Sequence, residues 1–198
     1  MKLDSKNTAF LTLDLQNGIL GMVPNAESVV STAAKAVQFA RDNHFPIIHV
    51  GLGFSEGHPE IPDFGSPFSM IKQNNLFVKG TPSVEFHSAI MQPGDLVVYK
   101  QRISAFSENH LRMILRAGNI GHLVLFGVST SGIVLSTARQ AFDFDFRCVI
   151  LKDACFDPDE EVHRVLTGKI FPMLASVSTT EEFTAGQEAR IEDGHAHQ

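Results

Sequence analysis

The chain has 198 residues, a formal net charge of −6, 43% hydrophobic residues and 19% charged ones. That balance excludes a disordered or low-complexity chain, and an acidic total with no run of Lys or Arg excludes nucleic acid and anionic membrane as main partners. No apolar stretch approaches the roughly 20 residues of a membrane span, no signal peptide stands in Met1–Lys6, and two cysteines, Cys148 and Cys155, fit reduced thiols in a cytoplasmic protein.

Taken in chain order, apolar runs alternate with amphipathic stretches. Residues 8–15 read as a buried strand. Residues 26–43 repeat apolar side chains at helical spacing (Val29, Val30, Ala33, Val37, Ala40) and end in polar Arg41-Asp42-Asn43. Residues 46–52 form the second strand. The section 53–93 is rich in proline, lacks regular periodicity, and reads as a long excursion over the surface. It has two open readings, a lid over a binding site, or else a dimer contact or simple cover for the sheet edge. The turn Gln92-Pro93-Gly94 leads into the third strand, 95–100. Ser107 is placed to cap a helix through Leu111, Ile114 and Leu115 that stops at Gly118. Residues 122–127 are the fourth strand, 131–144 the helix after it, and 147–152 the fifth strand. Asp157-Pro158-Asp159-Glu160 opens a further helix. Residues 175–178 make a short sixth strand, and Thr180 is placed to cap a last helix. Strand–helix alternation of this kind predicts a three-layer α/β/α sandwich around a six-stranded, mainly parallel sheet. Residues 1–190 make one domain, and 191–198 a polar, fraying tail.

In such a sheet ligands bind outside the carboxyl ends of the strands, and three candidate groups fall there. Asp14 closes the first apolar run, where burial raises a carboxyl's pKa and a nearby ammonium lowers it, the setting of a general acid or base. Lys100 closes the third run and needs a partner or a ligand. The two are either a catalytic pair or a structural ion pair. The segment 127–137 (Gly127-Val128-Ser129-Thr130-Ser131-Gly132-Ile133) joins the fourth strand to a helix with small, hydroxylated residues. It is either an anion or oxyanion site built from amides or a compact turn capped by Ser131. Cys148 and Cys155 lie in and at the end of the fifth strand and read as buried structural thiols.

In this order and spacing, Leu11-Thr12-Leu13-Asp14-Leu15-Gln16-Asn17-Gly18, Lys100-Gln101-Arg102-Ile103-Ser104-Ala105-Phe106, Gly127-Val128-Ser129-Thr130, Thr137-Ala138-Arg139-Gln140-Ala141 and Asp153-Ala154-Cys155 resemble the isochorismatase-like hydrolases over nearly the whole chain. That superfamily includes nicotinamidases and N-carbamoylsarcosine amidases. The resemblance implies catalysis by an Asp, a Lys and a Cys six residues after the Gly of the fourth-strand turn. Here that position is Ile133, which has no nucleophile. It also implies a cis peptide at Val128–Ser129 and a homodimer or homotetramer. In the branch that works without the Cys, the Asp protonates a vinyl ether and water attacks. On that pattern Asp14 is the donor and Lys100 tunes it, Arg102 meets a carboxylate, Gln16 bonds a hydroxyl, and Phe106, Ser129, Thr130, Gly132 and Ile133 line the substrate site. Arg102 has a second reading as a solvated loop residue, and Ile103 stands where that branch commonly has an aromatic. Nicotinamidases of this superfamily use an Asp-x-His triplet plus a further His in the excursion after the second strand, and residues 53–93 hold no such triplet. His49 reads as core and His58 as loop surface, so neither a metal nor another cofactor is expected; His195 and His197 are adventitious ligands at most. The expectation is a hydrolase that uses Asp14, Lys100 and water on a small carboxylate-, amide- or vinyl-ether-containing metabolite. The alternative is a catalytically silent small-molecule-binding or interaction protein.

Overall fold

In a computed structural model the chain is described over residues 3–66 and 68–195, the stretch 189–195 by its backbone alone. The element order is β1 (Thr8–Leu13), α1 (Asn17–Leu20), α2 (Ala26–Asp42), β2 (Ile47–Leu52), α3 (Ser69–Gln73), β3 (Leu96–Lys100), α4 (Leu111–Ala117), β4 (His122–Gly127), α5 (Leu135–Asp143), β5 (Arg147–Leu151), α6 (Glu160–Val165), β6 (Ser176–Ser178) and α7 (Thr180–His195). The six strands form one sheet in the order β3-β2-β1-β4-β5-β6, and every neighbouring pair is parallel. Each crossover carries helical structure, as parallel pairing demands. The architecture is the α/β fold expected from the strand–helix rhythm.

All six residues of β1 are buried, which requires cover on both sheet faces. On one face Phe10 of β1 packs against Phe39 of α2, Phe45 and Phe183 of α7, with ring centroids 5.3–6.4 Å apart. Side chains alternate along a strand, so Leu11 and Leu13 fall on the opposite face, and they too are fully buried. Helix α2 presents Val29, Val30, Ala33, Ala36, Val37, Phe39 and Ala40 to the core, the stripe read from its periodicity extended by Ala36 and Phe39.

Element ends differ from expectation where side chains, rather than propensity, decide them. Strand β1 stops at Leu13, because Asp14 turns into the left-handed region at φ 55°. Ser107 does not cap α4; Asn109 Oδ1 accepts from the Leu111 N–H at 2.9 Å. The helix after β4 begins with a wide π turn, Thr130–Val134, whose cap is Ser129 rather than Ser131. Asp159 caps α6, accepting from the N–H groups of Glu161 and Val162. At α7 Thr180 is a donor: its N–H and hydroxyl both go to Asp153 Oδ1, at 2.8 and 2.9 Å. Thr179 supplies the cap, accepting from the Glu182 N–H. The polar tail is helical in its backbone as far as His195, while the His195 side chain and all of His197 lie outside the described residues. No helix among the described residues is long and apolar enough to cross a membrane.

Candidate active site

The strand order reverses between β1 and β4, and this switch point is where an open parallel sheet forms a ligand crevice. The ends of these two strands are forced together. The Val128 N–H donates to Leu13 O at 3.0 Å. Gly127 lies so close to β1 that a Cβ there would stand 1.9 Å from Leu13 O, at a φ of +147°. Only glycine fits such an approach. Beyond it the Val128–Ser129 peptide is cis, as the resemblance implied.

A cavity of about 300 Å³ opens here, walled by Ile19, Met22, Val23, Leu52, Phe68, Val128, Ile133, Phe156 and Pro158. Asp14, Lys100, Arg102, Ile103, Ser129 and Gly132 complete it. Apolar walls with few converging polar groups are the usual make-up of a small-molecule site. Lys100 Nζ donates to Asp14 Oδ2 at 3.0 Å and to the Arg102 carbonyl at 3.1 Å. Both side chains are almost fully buried, Lys100 at 1% exposure and Asp14 at 8%. Asp14 Oδ1 is buried without a hydrogen-bond partner among the described residues. Burial pushes the Asp14 carboxyl above the usual carboxylate range, and the Lys100 ammonium only partly opposes it. A carboxyl so placed holds a proton at higher pH than a solvated one and can give it to a bound molecule.

The turn after β4 is tied down from behind. The Thr130 N–H donates to Phe156 O, the Ser131 N–H to Asp157 Oδ2 at 2.6 Å, and the Gly132 N–H to Ser129 Oγ at 3.1 Å. These three amides are therefore spent within the protein, which narrows the expected anion site. Ile133 is buried in the cavity wall. The two cysteines are free and buried, and burial pushes each thiol up to about 12. Neither lines the cavity.

The remaining predicted residues divide. Arg102 lies at the cavity wall, but its guanidinium already donates to Gln101 O (2.7 Å) and Glu60 O (3.2 Å) and sits 5.7 Å over the Phe68 ring. Gln16 is not brought to the cavity. Fully buried, it clamps the ends of β1 and β2 by donating to Leu52 O and Val84 O and accepting from the Leu52 N–H. Thr130 turns inward too, its hydroxyl bonded to His163 Nδ1 at 2.9 Å. Phe106 packs against Phe144 and Phe146, away from the cavity. His49 is core as expected, between Thr12 and Asp95. His58 is not surface: it is 1% exposed and bonded to Leu76 O. Sequence reasoning missed Ile19, Met22, Val23, Phe156 and Pro158; Phe68 carried a partial signal, since it belongs to the excursion read as a lid or a contact.

The sequence matches the isochorismatase domain family over residues 8–182. It is similar to the isochorismatase family protein YecD of Escherichia coli O157:H7, with 32% identity, covering 92% of this chain and 97% of that one. It is also similar to the ureidoacrylate amidohydrolase RutB of Caulobacter vibrioides (strain ATCC 19089 / CIP 103742 / CB 15), with 30% identity and 96% of each chain covered. Among solved structures, an isochorismatase family protein from Burkholderia thailandensis superposes with a TM-score of 0.80 at 27% identity, over 94% of this chain and 98% of that one. Fold, switch-point crevice and sequence agree, and the chain belongs to the isochorismatase family of hydrolases.

Proposed function

We propose that the chain hydrolyses a small metabolite bearing a carboxylate, amide or vinyl ether, with Asp14 as proton donor, Lys100 as its tuning partner and water as the attacking group. The observation that carries this reading is the Asp14–Lys100 pair at the wall of an apolar cavity, with Asp14 Oδ1 unpartnered among the described residues and Ile133 in the same wall. For a vinyl ether the steps balance without a covalent intermediate. The Asp14 proton goes to the terminal vinyl carbon, water adds to the resulting cation, and the water's proton returns to Asp14. The hemiketal then separates into ketone and alcohol. Arg102 and Ile103 stand at the cavity wall to meet the substrate's outer end, and Ser129, Gly132 and Ile133 line its side. Gln16, Thr130 and Phe106 act from behind as supports. Cytoplasmic residence and assembly as a homodimer or homotetramer belong to the same reading, and exposed Leu96 and Ile103 suit such a contact.

Ile133 also favours a second reading, a silent binding or interaction protein on the same scaffold. Turnover of the purified protein on isochorismate, ureidoacrylate, nicotinamide, N-carbamoyl amino acids and simple esters separates the two, with Asp14→Asn as control. Asp14-dependent product from any one of them supports the hydrolase. Silence on all of them, with thermal stabilisation by one compound, supports the binder.

A further inference from the structure

Ser129 stands out among the polar groups of the cavity wall, because its hydroxyl is half used. A hydroxyl offers one proton and two lone pairs. Ser129 Oγ accepts the Gly132 N–H at 3.1 Å, and among the described residues no acceptor faces its proton. The oxygen is also boxed in, since a Cβ on Gly132 would lie 2.6 Å from it. Residue 132 thus must lack a side chain for the hydroxyl to sit where it does. With the acceptor side fixed, the proton is left to the open side, and Ser129 and Gly132 both border the cavity that holds Asp14 and Lys100. Around it the wall is hydrocarbon: Val128, Ile133, Phe156 and Pro158. A preset neutral donor flanked by hydrocarbon rewards a ligand that brings an acceptor to that point and penalises one that does not.

We propose that Ser129 is a specificity-determining residue: its hydroxyl donates to a carbonyl or carboxylate oxygen of an apolar-bodied ligand held against the Asp14–Lys100 pair. The role differs from that of a nucleophile, because among the described residues no general base is bonded to Ser129 Oγ. It differs from a pure helix cap as well, because a cap uses only the lone pairs and is indifferent to the ligand.

The inference rests on reading the cavity as the ligand site, and the test keeps the two claims apart. Benzamide and thiobenzamide share one shape, but the sulfur is the weaker acceptor. Their dissociation constants are measured by calorimetry on the wild type, Ser129→Ala, Ser129→Thr and Asp14→Asn, with melting temperatures confirming that each variant is folded. Wild-type protein is expected to prefer benzamide. Ser129→Ala should weaken benzamide binding about 5- to 10-fold, the effect of one neutral hydrogen bond, and leave thiobenzamide nearly unchanged. Ser129→Thr keeps the hydroxyl and should restore the preference. Equal losses for the two ligands, no loss for benzamide, or no wild-type binding of benzamide at millimolar concentration overturns the proposal. Asp14-dependent turnover alongside an unchanged Ser129→Ala profile would sink this inference alone. An oxygen preference that depends on Ser129, without any turnover, would sink the catalytic reading alone.

Discussion

Lys100 Nζ reaches Asp14 Oδ2 at 3.0 Å, while among the described residues nothing bonds to the other, buried oxygen of the same carboxyl. The pair is thus lopsided. A purely structural ion pair gains most when every lone pair and proton is satisfied, and here one buried oxygen is left over. Asp14→Asn should therefore abolish turnover while the chain remains folded, since the amide oxygen still accepts from Lys100. Steady-state assays with chemical denaturation of the same sample check this, and full activity in the variant contradicts the assigned role.

Removing Lys100 acts on the proton rather than on the acid. The ammonium is the main group that opposes burial at Asp14, ahead of the Leu52 backbone, so Lys100→Met should raise the Asp14 pKa further. A proton donor works in its protonated form, so the high-pH limb of kcat/KM should move to higher pH. A pH–rate profile, or titration of the carboxyl by infrared spectroscopy, reads the direction. A shift to lower pH would mean that Asp14 is not the titrating group.

Ile133→Cys places a thiol in the cavity wall that also carries Lys100. A thiol near a cation is easier to ionise, and the thiolate is the reactive form. The variant should be alkylated by iodoacetamide at residue 133 far faster than at Cys148 or Cys155, whose burial holds them near 12. The smaller side chain should lower stability by about 1–2 kcal/mol. Mass spectrometry of the labelled peptides gives the ratio, and gain of amide hydrolysis would show that the scaffold still supports a thioester route.

Acid should weaken the fold through the His49–Asp95–Arg41 network. Burial holds the His49 imidazole below its ordinary pKa, so it is neutral in the folded protein while the unfolded chain takes up a proton below about pH 6.5. The Arg41 guanidinium beside Asp95 holds that carboxyl well below the usual range. Its stabilisation is present above the unfolded value near 3.9 and is lost as pH falls towards the folded value. Both signs agree: unfolding free energy should fall from pH 7 to 5 through His49, then again below about pH 4 through Asp95. Urea titrations across that range measure it, and Asp95→Asn should flatten the lower part. A stability maximum below pH 5 would contradict the assignment.

Gly127→Ala is expected to be among the most damaging single substitutions. Its methyl would meet Leu13 O and Leu13 C within 3 Å, in the middle of the β1–β4 pairing that carries the site. A loss above about 4 kcal/mol is expected, read as insoluble protein or a collapsed melting temperature.

Much of this was legible in the residues. Strand β4 matched at both ends, because the apolar run is bracketed by Gly121 and by Gly127, which has no alternative to its own conformation. Asp14, Ser129 and Ile133 converge because they follow the two strands that meet at the switch point, and Lys100, the last residue of β3, reaches Asp14 from beyond β2. Gln16, Thr130 and Phe106 are their near neighbours in sequence, yet their side chains turn into the protein: a one-residue change of facing is invisible without the backbone path. Ile19, Met22 and Val23 come from the turn around α1, and Phe156 and Pro158 from the approach to α6. Such loops take their positions from tertiary packing, which no local periodicity encodes.

Gln16 has a mechanical meaning. One side chain joins the last residue of β2 to Val84 at the far end of the excursion by three hydrogen bonds. Gly51 is bare beside it, since a Cβ there would stand 2.4 Å from the Gln16 amide carbon. The excursion that delivers Phe68 to the cavity is thus riveted to the sheet's centre at its root, not merely draped across it. In hydrogen exchange, the amides of Leu52 and its neighbours should open in one cooperative event with β1, while α3, farther from the rivet, should exchange as a separate and faster unit.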